Sequence, residues 1–183
     1  MNYLKRVLLL AILFSLTGCL SKNPLSARGE YVFDSRLLGA WSSPNDGGTI
    51  SYMHVASSSD KNVLTIVVVT YPKKGDFTVE RVEAYAATEN EITGYMSIED
   101  NATRGNGYLF ARYVFEKDDL LKLCFVPMGN IKDLVKSKKL DGYILNEKTQ
   151  MAVLTGSVEQ LRNYFMSDDA KDIFINCIKL SRI

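Results

Sequence analysis

The side chains that enzymes use most often are sparse in this chain and badly spaced for joint work. His54 is the only histidine, and a serine–histidine–aspartate triad or a cysteine–histidine pair would require it. It lies beside Val55 in an alternating segment, which favours an ordinary strand histidine. Glu80 and Glu83 are three positions apart, so on a strand they face opposite sides and cannot act as paired glycosidase carboxylates. We therefore expect no enzymatic activity.

Metal and cofactor chemistry is equally unsupported by the residue pattern. A zinc site needs three or four good ligands, and one histidine with scattered cysteines does not supply them. Glu99-Asp100-Asn101 looks like half of a calcium loop but lacks the downstream bidentate glutamate. There is no glycine loop of a known phosphate-binding type. The sequence therefore predicts neither a bound metal nor a cofactor.

One thiol near the beginning of the sequence stands in a distinctive setting. Lys5 and Arg6 precede ten almost wholly apolar residues, 7–16, a stretch too short to span a bilayer as a helix. Such a stretch is typical of a secretory signal peptide, and small residues followed at once by cysteine end it. This segment, Leu16-Thr17-Gly18-Cys19, resembles the lipobox of bacterial lipoproteins. The alternatives are an uncleaved anchor or an ordinary signal-peptidase site.

The lipoprotein resemblance implies cleavage before Cys19, followed by attachment of lipid to its thiol and acylation of its new amino group. Two or more acyl chains hold a protein firmly on a membrane, whereas one is marginal. Leu20 stands where aspartate would favour the inner membrane, so the resemblance implies an outer-membrane protein that faces the periplasm. We expect a signal peptide over 1–18, a lipidated residue and short tether over 19–30, and a single domain over 31–183.

Charge and cysteine content restrict the remaining classes. Loss of Lys5 and Arg6 with the signal peptide changes the formal net charge from +1 to −1, so no basic field exists for nucleic acid. The remaining lysine clusters are short and are interpreted as solvated faces. Cys124 and Cys177 lie in apolar segments. Export permits a disulfide between them, while two buried small hydrophobic residues are the alternative.

Short strands separated by turn residues dominate the domain. The pattern predicts strands over 38–42, 49–55, 63–71, 77–87, 91–98, 108–116 and 120–126. After Pro127 it predicts a short helix over 130–139, a strand over 150–154, a helix that begins with a capping box at Ser157, and a last strand over 173–180. We therefore expect a mainly β fold, an antiparallel up-and-down barrel of about eight strands, with one or two short helices before the last strand.

Residues 63–69 are apolar at both parities, whereas a strand with one wet face should alternate. We expect another element to cover the outer face of this strand, and the helix that begins after Ser157 is the favoured cover.

The segment Leu37-Leu38-Gly39-Ala40-Trp41 opens the first strand. A Gly-x-Trp at this place before a meander resembles the lipocalin and wider calycin barrels. That resemblance implies that Trp41 closes one barrel end by stacking under a late basic residue, either Arg182 or Lys179, next to Gly39. The helices before the last strand depart from the lipocalin pattern.

Aromatic and polar side chains along the strands suggest what the barrel would hold. Tyr52, Tyr85, Tyr95 and Tyr113 could line a cavity for a small apolar or amphiphilic ligand. Arg112 lies mid-strand and, if it points inward, needs an anionic partner. We expect a membrane-anchored binding module. The alternative is an envelope interaction protein with a filled barrel, such as an assembly factor, an inhibitor or an immunity protein.

Overall fold

The computed structural model describes residues 21–26, 34–44, 49–58, 63–100, 107–148 and 151–183. The fold is mainly β. Its strands are β1 (Gly39–Pro44), β2 (Ile50–Ser57), β3 (Leu64–Tyr71), β4 (Thr78–Thr88), β5 (Thr93–Asp100), β6 (Gly107–Lys117), β7 (Leu120–Phe125), β8 (Gly142–Asn146), β9 (Met151–Leu154) and β10 (Asn176–Arg182). The expected signal peptide over 1–18 and Cys19 lie outside the described residues.

Eight strands form a closed antiparallel barrel. β1 to β7 follow one another around the wall as hairpin neighbours, and β10 closes the ring between β7 and β1. Every neighbouring pair is antiparallel. The expected up-and-down barrel is therefore confirmed, and the predicted strand segments match the observed strands to within a few residues.

The connection from β7 to β10 is an insertion that packs outside the barrel. It contains helix α1 (Met128–Lys136), the β8–β9 hairpin, helix α2 (Val158–Phe165) and a 3₁₀ segment, Asp168–Ile173. Ser157 caps α2, and its Oγ accepts a hydrogen bond from the Gln160 amide over 3.1 Å, as the capping box predicts. The helices thus precede the last strand, as expected.

Two apolar clusters lie on the two faces of the barrel wall. The interior cluster includes Trp41, Met53, Leu64, Met96 and Tyr113. The outer cluster joins outward-facing side chains of β5, β6 and β7 to the insertion, and it contains Tyr95, Phe110, Cys124, Ile131, Leu161 and Phe165. The insertion therefore supplies a second hydrophobic layer on one side of the barrel.

The prediction that the helix after Ser157 covers the outer face of β3 is wrong. Leu161 and Phe165 of α2 pack in the cluster with Tyr95 and Phe110, so the helix covers β5 and β6. The apolar faces of β5 and β6 allow this placement because both parities carry large side chains there. The outward side chains Val67 and Val69 of β3 remain only half-buried.

Residues 21–26 also differ from the expected tether. Ser21 bridges to Tyr108 of β6 and to Leu154 of β9. Leu25 is buried, and its amide donates to Ser97 Oγ over 2.9 Å. This segment is therefore part of the folded domain.

The two barrel ends are built differently. At one end, which we call the plug end, β1 begins at Gly39 and the 3₁₀ turn Ser35–Leu37 lies against the barrel. At the opposite end, which we call the far end, β3 ends at Tyr71 and β4 begins at Thr78. Tyr108, which pairs with Ser21, lies at the start of β6 and therefore also at the far end.

Candidate functional site

A tryptophan–arginine stack closes the plug end. The Arg182 guanidinium lies 4.2 Å from the centroid of the Trp41 ring, and the indole Nε1 donates to the Leu37 carbonyl over 2.9 Å. Arg182 also donates to the carbonyls of Leu38 over 2.7 Å and Arg36 over 2.6 Å. One side chain thus fixes both the indole and the 3₁₀ turn.

Gly39 makes room for this stack. Its φ is +118°, and a Cβ there would lie 3.0 Å from Nη1 of Arg182, so a larger residue would be strained and crowded. The predicted contact between Trp41, Gly39 and Arg182 is confirmed. Lys179, the other candidate, instead pairs with Glu116 over 2.8 Å.

A buried carboxylate lies beside the stack. Asp34 accepts from Arg36 Nη2 over 2.8 Å and from the Tyr113 hydroxyl over 3.1 Å. Burial raises the pKa of Asp34, but the hydrogen bonds and charge of Arg36 outweigh it, so the pKa lies below its usual value. Burial also raises the pKa of Tyr113, which therefore stays protonated and donates. Asp34, Arg36 and Tyr113 are linked by hydrogen bonds, and Arg36 also donates to the Glu91 carbonyl, which is typical of a structural network.

The plug half of the barrel interior is filled by its own side chains. Trp41 and Tyr113 are 0% exposed, and Leu64 and Leu121 are 1% exposed. These four residues lie toward the plug end and leave no room for a ligand among them. Toward the far end, the inward-facing apolar residues are only partly buried: Val68, Val82, Leu109, Phe125 and Ile178. An eight-stranded barrel can be filled by side chains alone, or it can hold one small ligand.

Four of the five candidate ligand residues lie outside the barrel, so their expected place in a lumen is wrong. Each lies between two strand neighbours whose side chains point inward, and side chains alternate along a strand. These outward residues are Arg112, Tyr52, Tyr85 and Tyr95. Tyr113 alone points inward, and its hydroxyl is engaged by Asp34.

The outward candidates do not converge on one site. Tyr85 donates to Glu99 Oε1 over 2.6 Å. Tyr52 makes an edge contact with Tyr71, with 5.9 Å between ring centroids. Arg112 and Tyr95 are cross-strand neighbours under the insertion. Burial raises the pKa of Tyr95, Glu89 raises it further, and Arg112 opposes them.

A second group of inward-facing polar side chains lies near the far end. Ser51 Oγ and Thr70 Oγ1 are 3.2 Å apart. Glu80 points inward on β4 opposite Val68, and its Oε2 makes no hydrogen bond with any residue that the structure describes. Burial raises the pKa of this carboxyl. Glu83 faces outward, so the two carboxylates do not form a catalytic pair.

The two candidate cysteines form a disulfide. Cys124 and Cys177 are directly opposite on β7 and β10, with an S–S distance of 2.07 Å. Both face outward, and Cys124 is buried in the outer cluster. The bond joins the strands at the two places where the insertion leaves and re-enters the barrel.

The remaining chemical candidates are isolated. His54 is exposed on the outer face of β2. No group of three potential metal ligands occurs among the described residues. Within the same part of the chain, no helix is long and apolar enough to cross a membrane.

An exposed apolar surface at the far end was not predicted as a site. It consists of Ile50, Tyr71, Phe77 and Val79, which we call the far-end patch. Phe77 packs on Tyr71 with 5.7 Å between ring centroids. The apolar run over residues 63–69 ends two positions before Tyr71, and it indicated a covering helix rather than this exposed surface.

No protein family model, curated protein sequence or solved structure matches the chain. Its function therefore has to be inferred from the residues themselves.

Proposed function

We propose that this chain is a bacterial envelope lipoprotein, anchored through Cys19, whose filled lipocalin-like barrel is a scaffold that binds an envelope protein on its outer surface. The observation that carries the proposal is the packed plug half of the interior, in which Trp41 and Tyr113 are completely buried. A carrier would need an open lumen with Arg112 or tyrosine hydroxyls inside it. The stack of Arg182 on Trp41 supports the lipocalin-like part of the proposal.

The β8–β9 hairpin offers a surface for such a partner. In the described structure β8 pairs only with β9, so its other edge has no strand neighbour. Tyr143 and Leu145 on β8 are exposed and face the same side, because they are two positions apart. An unpaired strand edge with apolar side chains can accept a strand from another protein.

Native mass spectrometry tests the filled barrel. The lipidated protein is purified from membranes, and its native mass is compared with the mass after denaturation. We expect equal masses once detergent and bulk lipid are removed. A stoichiometric extra mass that is released on denaturation would refute the filled scaffold and support a carrier of a small ligand instead.

Two cell experiments test the remaining parts. Labelled fatty acid should be incorporated into the wild type and not into Cys19→Ser, and equal labelling would refute the anchor. A photo-crosslinker at Leu145 should give a discrete protein adduct that the same group at Ile92, on the β4–β5 turn, does not give. Identical adducts at both positions would contradict a partner site on the hairpin.

A further inference from the structure

The position of Ser21 determines where a lipid anchor would leave the domain. The Ser21 amide donates to the Tyr108 carbonyl over 3.1 Å, and the Tyr108 amide donates back over 2.8 Å. Lys22 adds a bond to the Leu154 carbonyl over 3.0 Å. Cys19 is two residues earlier, and two residues span at most about 7 Å. A lipid on Cys19 would therefore emerge beside the far end.

The same end carries a concentration of exposed apolar side chains. Of nine large hydrophobic residues that are exposed in the described structure, the four of the far-end patch and Ile175 lie there. Phe77 is 59% exposed and Val79 is 56% exposed. Single exposed apolar residues are ordinary, whereas a contiguous group marks an interaction surface.

The chemistry around the patch fits a phospholipid surface. Lys73 and Lys74 are exposed in the β3–β4 loop, directly between Tyr71 and Phe77. Asp76 shares the loop, which leaves it a formal charge of +1. Tyrosine rings favour the level of the lipid headgroups, and lysines beside them are attracted to anionic lipids. An anchored domain also meets its membrane at high effective concentration, so a modest patch suffices.

We propose that the far end is a membrane-facing surface, in which the far-end patch and Lys73–Lys74 rest on the anionic headgroup layer of the bilayer that holds lipidated Cys19. This inference rests on the lipid anchor of the proposed function. It adds an orientation, in which the far end of the barrel faces the membrane and the plug end points away from it.

The test uses the full lipidated protein in vesicles of phosphatidylethanolamine and phosphatidylglycerol. A polarity-sensitive thiol dye is attached to Asp76→Cys at the far end or to Asp119→Cys in the β6–β7 turn at the plug end. Cys124 and Cys177 form a disulfide and do not compete for the dye. We expect blue-shifted emission, quenched by nitroxide-labelled phospholipid, for position 76 and not for position 119.

Substitutions then test the groups that make the contact, with a dye at position 76. Each lysine near an anionic surface contributes about 1 kcal/mol, so Lys73→Gln with Lys74→Gln should lower the docking equilibrium constant about 30-fold. This loss should shrink on phosphatidylcholine vesicles. Phe77→Ser should weaken docking, whereas Ile92→Ser, an equally exposed residue at the plug end, should not.

The outcomes separate the two proposals. If the protein does not float with vesicles, the anchor is refuted. If it floats but both dyes report water, or if Phe77→Ser and Ile92→Ser behave alike, the membrane-facing surface is refuted and the anchor stands. A shielded dye at position 76 without lipid, together with a dimer that Phe77→Ser abolishes, would assign the patch to a second copy and also overturn the inference.

Discussion

Removal of the Cys124–Cys177 disulfide should destabilise the whole barrel. The bond closes a loop with a sequence separation of 53 residues, and this loop contains the entire insertion. In the chain-entropy model, opening a loop of that length frees enough denatured-state entropy to cost about 4 kcal/mol at 25 °C. Domains are commonly stable by about 5–15 kcal/mol, so this loss is a large share of the total.

Urea unfolding of the oxidised wild type and of the Cys124→Ala, Cys177→Ala double variant measures the effect. The free energy of unfolding should fall by about 3–4 kcal/mol, and the m-value should rise because the denatured chain exposes more surface. Reductant should bring the wild type to the level of the double variant and leave the variant unchanged. A difference below about 1 kcal/mol would refute the reasoning, since the denatured loop would then be closed by other contacts.

Arg182→Ala should lower the free energy of unfolding by about 2 kcal/mol, allowing for solvent exposure, because the indole stack and two carbonyl bonds are lost. Lys179→Ala should change the free energy of unfolding much less. Equal denaturation midpoints for the Arg182→Ala and Lys179→Ala variants would contradict the role of the stack. Gly94→Ala should lower the free energy of unfolding by about 1–3 kcal/mol, because its Cβ would lie 2.2 Å from the Tyr113 hydroxyl. Gly129→Ala in α1 meets nothing within 4 Å and should be neutral or stabilising. Thermal melts in which Gly94→Ala is no less stable than Gly129→Ala would show that the Tyr113 side chain moves freely. The lowered pKa of Asp34 means that its ionised form stabilises the fold above the unfolded pKa of about 3.9, and this stability is lost as the pH falls through the folded pKa. Asp34→Asn should remove that part of the acid dependence, and an unchanged stability curve from pH 7 to the acid limb would contradict it.

The barrel could be predicted because its strands are short, regularly spaced and separated by clear turn residues. The Trp41–Arg182 contact could be predicted only through the resemblance of Gly39-Ala40-Trp41 to the lipocalin motif, which left Arg182 and Lys179 as alternatives. Whether Cys124 and Cys177 form a disulfide could not be predicted from the sequence, for a physical reason. Proximity of Cys124 and Cys177 depends on the register between β7 and β10, which neither segment encodes alone.

The orientation of Arg112 could not be predicted from alternation. On β6, Phe110 points outward into the insertion while Tyr113 points inward, so both faces of the strand carry large apolar residues. Alternation identifies the inner face only where the outer face is wet. The same ambiguity led the sequence to place a helix over β3, where the outer face is in fact uncovered.

β8 was missed because its apolar side chains, Tyr143 and Leu145, are exposed. A segment with an exposed apolar face does not show the pattern of a half-buried strand. Its pairing with β9 depends on the scaffold that the helices provide.

The closing seam of the barrel has a consequence for how the molecule folds and opens. β1 and β10 pair over only two residue pairs, whereas β2 and β3 pair over eight. Arg182 and Leu38, which span this seam, are 144 residues apart, so ring closure must wait until the rest of the wall is synthesised and is the slowest contact to find. The same short seam is where amide hydrogens should exchange first, through fluctuations that unzip the ring while the meander from β2 to β7 stays folded.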